Sequence, residues 1–184
     1  MRVTGPIFAL DLGSAFTGWA SGCASERPTS GTIPLKLKTQ GREIAFGNLM
    51  AFLGELWIKQ IPALVVKESP LPLQGYKNAS NSQAAVQIAY GLHGIVEGLA
   101  ARFGIRCESI HDATIRKFFI GKGRLGSRPD TKAAVVQRCH LLKLMPRECQ
   151  DEDRADALAV WSWASATYGG RAADVLHLFG ERAA

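Results

Sequence analysis

The 184 residues suffice for one domain with its own core, and an apolar fraction of 47% is that of an ordinary soluble globular chain. No uninterrupted apolar run approaches the roughly 20 residues that span a bilayer, and the amino terminus has no basic stretch before a long apolar one, so the expectation is a cytoplasmic protein without a membrane span or secretory signal. A formal net charge of +6 and a pI near 9.4 suit a polyanionic partner such as nucleic acid.

In chain order, residues 6–13 read as a buried strand ending in a turn, and 16–23 return as a second strand. Residues 32–38 alternate at Ile33, Leu35 and Leu37, with Pro34 marking an edge strand. Helical spacing at Leu49, Phe52, Leu53, Leu56 and Trp57 predicts a helix over 42–59, which Pro62 stops. The apolar run 63–68 reads as a fourth strand buried on both faces, as in a parallel sheet. Residues 82–103 predict the longest helix, with Gly91, Gly94 and Gly98 on one face. Each glycine there costs about 1 kcal/mol against alanine, so close approach by the sheet or by a partner helix is expected.

Gly104 closes that helix, and 105–110 make a fifth strand. Asp112 or Thr114 is expected to cap a short helix through Phe119, and Asp130 or Thr131 to cap another reaching about Leu144. Residues 151–168 predict a last, strongly apolar helix ended by Gly169 and Gly170. Three strands followed by alternating helices and strands define an α/β fold with a mixed sheet. Residues 1–170 are taken as one domain and 171–184 as a tail. Cys23, Cys107, Cys139 and Cys149 show no metal-binding spacing and read as free thiols. The four tryptophans read as core.

Charge is unevenly spread. Arg116, Lys117, Lys122, Arg124, Arg128 and Lys132 crowd one segment against the single acid Asp130, and Glu148, Asp151, Glu152, Asp153 and Asp156 follow with only Arg154 among them. Asp11 sits in the first strand between Leu10 and Leu12, where a carboxylate is costly unless paired or bound to a cation. Glu68 ends the fourth strand. Asp153 and Asp156 share a face of the last helix, whose apolar character sets its first turn against the sheet. Four carboxylates from three core elements can therefore converge, and divalent cations would relieve their repulsion. Oxygen-only ligands suit Mg²⁺ or Mn²⁺, and two such ions about 4 Å apart can hydrolyse a phosphodiester. Asp151 and Glu152 read as solvated cap residues, either of which could substitute as a ligand. The basic segment reads as a phosphate grip.

The strand Ala9-Leu-Asp11-Leu-Gly13 with Thr17-Gly18, the strand ending at Glu68, and Asp153-Arg-Ala-Asp156-Ala-Leu-Ala159 together resemble the RuvC family of Holliday-junction resolvases, over about residues 6–165. The resemblance implies an RNase H-like fold, a five-stranded mixed sheet flanked by helices. It implies Asp11, Glu68, Asp153 and Asp156 as the metal-binding catalytic acids, and Arg116 and Lys132 as the basic pair beside the DNA groove. Lys132 can also stabilise charge building on the phosphate. The activity implied is cleavage of four-way junctions to a 5′-phosphate and a 3′-hydroxyl with two Mg²⁺ or Mn²⁺ per site, by a homodimer. The helix 82–103 is the expected dimer face. The chain departs from the family in a longer loop between Gly123 and Lys132 and in Leu71 where many members carry an aromatic, a role Tyr76 can take over. Phage-encoded members vary in this way, and some cut several kinds of branched DNA. The alternatives are a broader debranching nuclease, an inactive junction-binding protein, or an actin-like ATPase, for which 184 residues are too few.

Overall fold

Residues 2–70 and 83–169 are described by the computed structural model. The segment holding Leu71 and Tyr76, and the tail 171–184, lie outside them. β1 (Ile7–Leu12) and β2 (Phe16–Gly22) form an antiparallel pair in which Asp11 stands opposite Gly18. β3 (Thr29–Pro34) adds to the far side of β2, also antiparallel. β4 (Leu64–Glu68) and β5 (Cys107–Ile110) extend the other side in parallel, giving the order β3-β2-β1-β4-β5. The expected five-stranded mixed sheet is present. Among the described residues no helix is long and apolar enough to cross a membrane.

Strand alternation divides the molecule into two cores. Ile7, Ala9, Leu64 and Val66 face one side, covered by α3 (Asp112–Ile120), α4 (Arg128–Leu141) and α5 (Glu152–Tyr168). Phe8, Leu10 and Val65 face the other, covered by α1 (Arg42–Lys59) and α2 (Gln83–Arg102). Asp11 continues the face of Ile7 and Ala9, and Glu68 continues that of Leu64 and Val66, so both carboxylates belong to the α5 side. Lys67, between Val66 and Glu68, belongs to the α2 side. It is fully buried, with Nζ 2.6 Å from Ser109 Oγ, 3.1 Å from His93 Nδ1 and 2.9 Å from Glu97 Oε1. Burial, with the lysine charge beside it, lowers the His93 pKa to about 4 against the pull of Glu97, so the ring is neutral and can accept from Lys67.

Several boundaries differ from the sequence reading. β3 lies at 29–34, not 32–38: its register with β2 ends at Phe16 paired with Pro34, and beyond it the Ala15 carbonyl takes the Leu35 N–H at 2.7 Å before the chains part. Leu35 then enters the core while Leu37 is 68% exposed, which breaks the alternation. The cap of α3 is His111, and that of α4 is Ser127, which forms a reciprocal capping box with Asp130; Pro129 occupies the first turn, where its missing N–H is harmless. α4 ends at Leu141, with Lys143 left-handed at φ 55°. Gly104 closes α2 at φ 67°, as expected. The cysteines are free thiols, Trp57 and Trp161 are fully buried, and Trp19 is partly buried, stacked on Phe8.

The glycine face of α2 is not uniform. A Cβ at Gly91 would come within contact-forbidden distance of the Phe46 ring on α1, so this chain's own packing accounts for that glycine, whereas Gly94 and Gly98 face open space. Gly18 is more demanding. A Cβ there would stand 1.8 Å from the Asp153 carbonyl oxygen, so the first turn of α5 rests directly on β2. Gly18→Ala should therefore push α5 off the sheet and cost about 1–3 kcal/mol or more, as overpacking does. A lowered denaturation midpoint checks this; wild-type stability in the variant would mean that the contact is dispensable.

Candidate active site

The contact between Gly18 and Asp153 explains how distant acids meet. Gly18 is the register partner of Asp11, so the α5 backbone at Asp153 lies over the β1–β2 ladder beside that carboxylate. Glu68 comes one residue after Lys67, the register partner of Leu10, and so lies next to Asp11 on the neighbouring strand and the same face. Asp156 follows Asp153 by one helical turn. α5 can present these groups because Asp151 caps it, accepting from the Arg154 backbone N–H at 3.0 Å, and because Ala155, Leu158 and Ala159 are buried against the sheet. The Arg154 guanidinium donates to Ser30 Oγ at 2.9 Å and fastens the same turn to β3.

A lysine lies among these acids. Lys132 of α4 places Nζ 3.0 Å from Glu152 Oε2, 3.9 Å from Asp156 Oδ2 and 4.0 Å from Asp153 Oδ1. Burial works against its charge, yet the Glu152 hydrogen bond and the charges of Asp156, Glu152 and Asp153 together hold its pKa above the usual lysine range. The acids are less well compensated. Burial, then the charges of Asp156 and Asp153, push Asp11 up to about 8, with Lys132 opposing. Burial, then Asp11, Asp112 and Asp156, push Glu68 well above the usual carboxylate range. Asp156 rises to about 6 chiefly through burial, and Asp153 rises for the same reason, Lys132 opposing in both cases.

Such a group of oxygen donors, crowded and short of positive charge, fits a hard divalent cation. As the side chains stand, no three Asp, Glu, His or Cys among the described residues are drawn together tightly enough to ligate one ion. Asp11, Glu68, Asp153 and Asp156 would be the residues to close on it.

The basic segment divides. Arg116, Arg128 and Lys132 lie within electrostatic reach of the acids, Arg116 opposing the rise at Glu68 and Asp156, and Arg128 that at Asp153. Arg128, Pro129, Lys132 and Glu152 line an open cavity of about 300 Å³ at the edge of the site. Lys117, Lys122 and Arg124 are exposed on α3 and the loop after it, the Arg124 guanidinium donating to the Gly126 carbonyl at 3.1 Å. Two acids carry more than the sequence reading gave them. Glu152, read as a solvated cap residue, is the nearest partner of Lys132. Asp112, read only as a cap, holds Arg116 Nη1 at 2.7 Å from Oδ2. The signal for Asp112 was its i,i+4 spacing from Arg116; Glu152, whose partner lies on another helix, had none.

No protein-family model and no curated protein matches the sequence. Solved structures do match. RuvC of Thermus thermophilus has a TM-score of 0.64 at 15% identity, over 88% of this chain and 95% of that one. T. thermophilus RuvC in complex with a Holliday junction substrate gives 0.63 at 14%, over 88% and 94%. The yeast mitochondrial Holliday junction resolvase Ydc2 gives 0.59 at 12%, over 92% and 84%. At these identities the likeness is one of fold, and the RNase H-like architecture is established by it.

Carboxyls whose folded pKa exceeds the unfolded value stabilise the fold while protonated and lose that contribution as pH rises through the folded pKa. For Asp11, raised from 3.8 to about 8, the loss spans that interval, and Asp156, raised to about 6, adds to its lower part. Without divalent metal, the melting temperature should carry a component that falls as pH rises from about 4 to about 8. Asp11→Asn should flatten it and raise stability at pH 8. Melting curves on chelator-treated protein test this, and identical pH profiles for the two proteins would contradict the assignment.

Proposed function

We propose that this chain is a metal-dependent endonuclease of branched DNA, with the four-way (Holliday) junction as its substrate. The observation that carries the reading is the convergence of Asp11, Glu68, Asp153 and Asp156 at one end of the sheet with Lys132 as counter-charge. The fold likeness to T. thermophilus RuvC with a Holliday junction substrate and to the yeast mitochondrial resolvase supports the choice of DNA. Two Mg²⁺ or Mn²⁺ ions, when bound, would supply an activated water and stabilise the departing 3′-oxygen.

The chain's residues do the rest. Asp11 and Glu68, fixed on adjacent strands, give the site a rigid floor, and Asp153 and Asp156 are set against it by the seating of α5 on Gly18. Lys132 keeps its proton and offers a charge to the phosphate. Arg116 and Arg128 would hold the DNA backbone beside the acids, with Lys117, Lys122 and Arg124 further along the same basic surface. A two-fold pair of chains, meeting through the open Gly94 and Gly98 face of α2, matches the near two-fold symmetry of a four-way junction. Such an enzyme would act on DNA in the cytoplasm.

Incubation with a synthetic four-way junction, flaps and linear duplex, with and without Mg²⁺ or Mn²⁺, tests the reading. Junction arms should be nicked symmetrically, with metal, to a 5′-phosphate and a 3′-hydroxyl. Asp11→Asn and Glu68→Gln should keep junction binding and lose cleavage by about a hundredfold or more, and Lys132→Ala should slow it on a similar scale. Equal cutting of flaps would make the chain a general debranching nuclease, one-sided nicking would contradict the pair, and metal-independent binding without cleavage would leave a junction-binding protein. Arg128→Ala should weaken binding to all branched DNA and lower the slope of log affinity against log salt by about one. An unchanged slope would remove Arg128 from the phosphate path.

A further inference from the structure

β1, β4 and β5 run parallel, and their carboxyl ends open on one edge of the sheet. β1 delivers Asp11 there and β4 delivers Glu68. The register partner of Glu68 on β5 is Ile110, and two residues on, as the first residue of α3, comes Asp112. Its two oxygens are treated differently. Oδ2 takes the Arg116 guanidinium at 2.7 Å. Oδ1 is sealed from solvent and receives no hydrogen bond, although the side chain as a whole keeps 33% of its surface. A sealed carboxylate oxygen without a donor is an unfavourable arrangement that something else normally completes. The Asp112 charge is also felt at Asp11, Glu68 and Asp156, three of the four acids already assigned.

We infer that Asp112 is a fifth carboxylate of the candidate active site, with Oδ1 helping to hold the divalent cation while Oδ2 holds Arg116. The inference rests on the metal-dependent reading above. It separates Asp112 from an ordinary i,i+4 surface pair, which offers both oxygens to water or to its partner. It also gives the pair a joint use: one side chain anchors the cation on one side and aims a phosphate-binding guanidinium on the other.

Mn²⁺ titrated calorimetrically into the DNA-free full chain provides the test, since it reads metal uptake without cleavage. The proteins compared are wild type, Asp112→Asn, Asp112→Glu and Arg116→Gln, each confirmed as folded by circular dichroism, with Asp112→Ser in reserve should the asparagine variant misfold. Asp112→Asn should bind Mn²⁺ roughly tenfold or more weakly, at least the loss seen for residues that only support a metal's direct ligands. Asp112→Glu should recover part of the loss, and Arg116→Gln should bind no more weakly than wild type. Wild-type affinity in Asp112→Asn overturns the inference. Equal weakening by Arg116→Gln also overturns it, by tracing the effect to the ion pair. A wild type that takes up no Mn²⁺ overturns the metal-dependent reading and this inference with it.

Discussion

Burial of several carboxyl groups at one end of the sheet, with their mutual repulsion added, is the constraint around which this molecule is arranged. Asp11, Glu68, Asp153 and Asp156 come from two strands and a helix, and each is held where burial alone disfavours its charge. An isolated carboxylate in such a place is costly. Here four of them stand together, with Lys132 shared between Asp153, Asp156 and Glu152.

The remainder of the fold keeps those groups from moving apart. Burial of Ala155, Leu158 and Ala159 holds α5 on the sheet, and the missing side chain at Gly18 brings its first turn within touching distance of β2. The Asp151 cap and the Arg154–Ser30 hydrogen bond fix the same turn from its other sides. α4, started by the Ser127–Asp130 capping box, carries Lys132 across to meet it. The flanking residues at the site thus hold together carboxyls that burial first, and their neighbours' charge second, disfavour.

Much of this was legible in the amino-acid order, for definite reasons. Asp11 stood out because charge between Leu10 and Leu12 contradicts the strand around it, and the spacing of Asp153 and Asp156 places them on one helical face whatever the fold. The five strands followed from alternation and apolar runs, and failed only where pairing overrides local pattern: Leu37 alternates correctly yet has no strand beside it. The caps at His111 and Ser127 were missed because Asp112, Thr114, Asp130 and Thr131 compete for the same role, and Pro129 decides in favour of Ser127. The parts of Asp112 and Glu152 were hidden for another reason. Each has an ordinary local use at a helix start, and only the meeting of β5 with β4 brings Asp112 near the other acids, as that of α4 with α5 brings Glu152 to Lys132.

Lys67 and Glu68 are joined by a single peptide unit and face opposite ways. The lysine is locked among His93, Ser109 and Glu97 under α2, while the glutamate reaches toward α5. Loosening α2 would tilt that shared backbone plane and carry the carboxylate with it. A mutational survey of the candidate site would thus count there some injuries that began behind the sheet, and His93 or Ser109 variants would need a folding measurement before being read as injuries to the site itself.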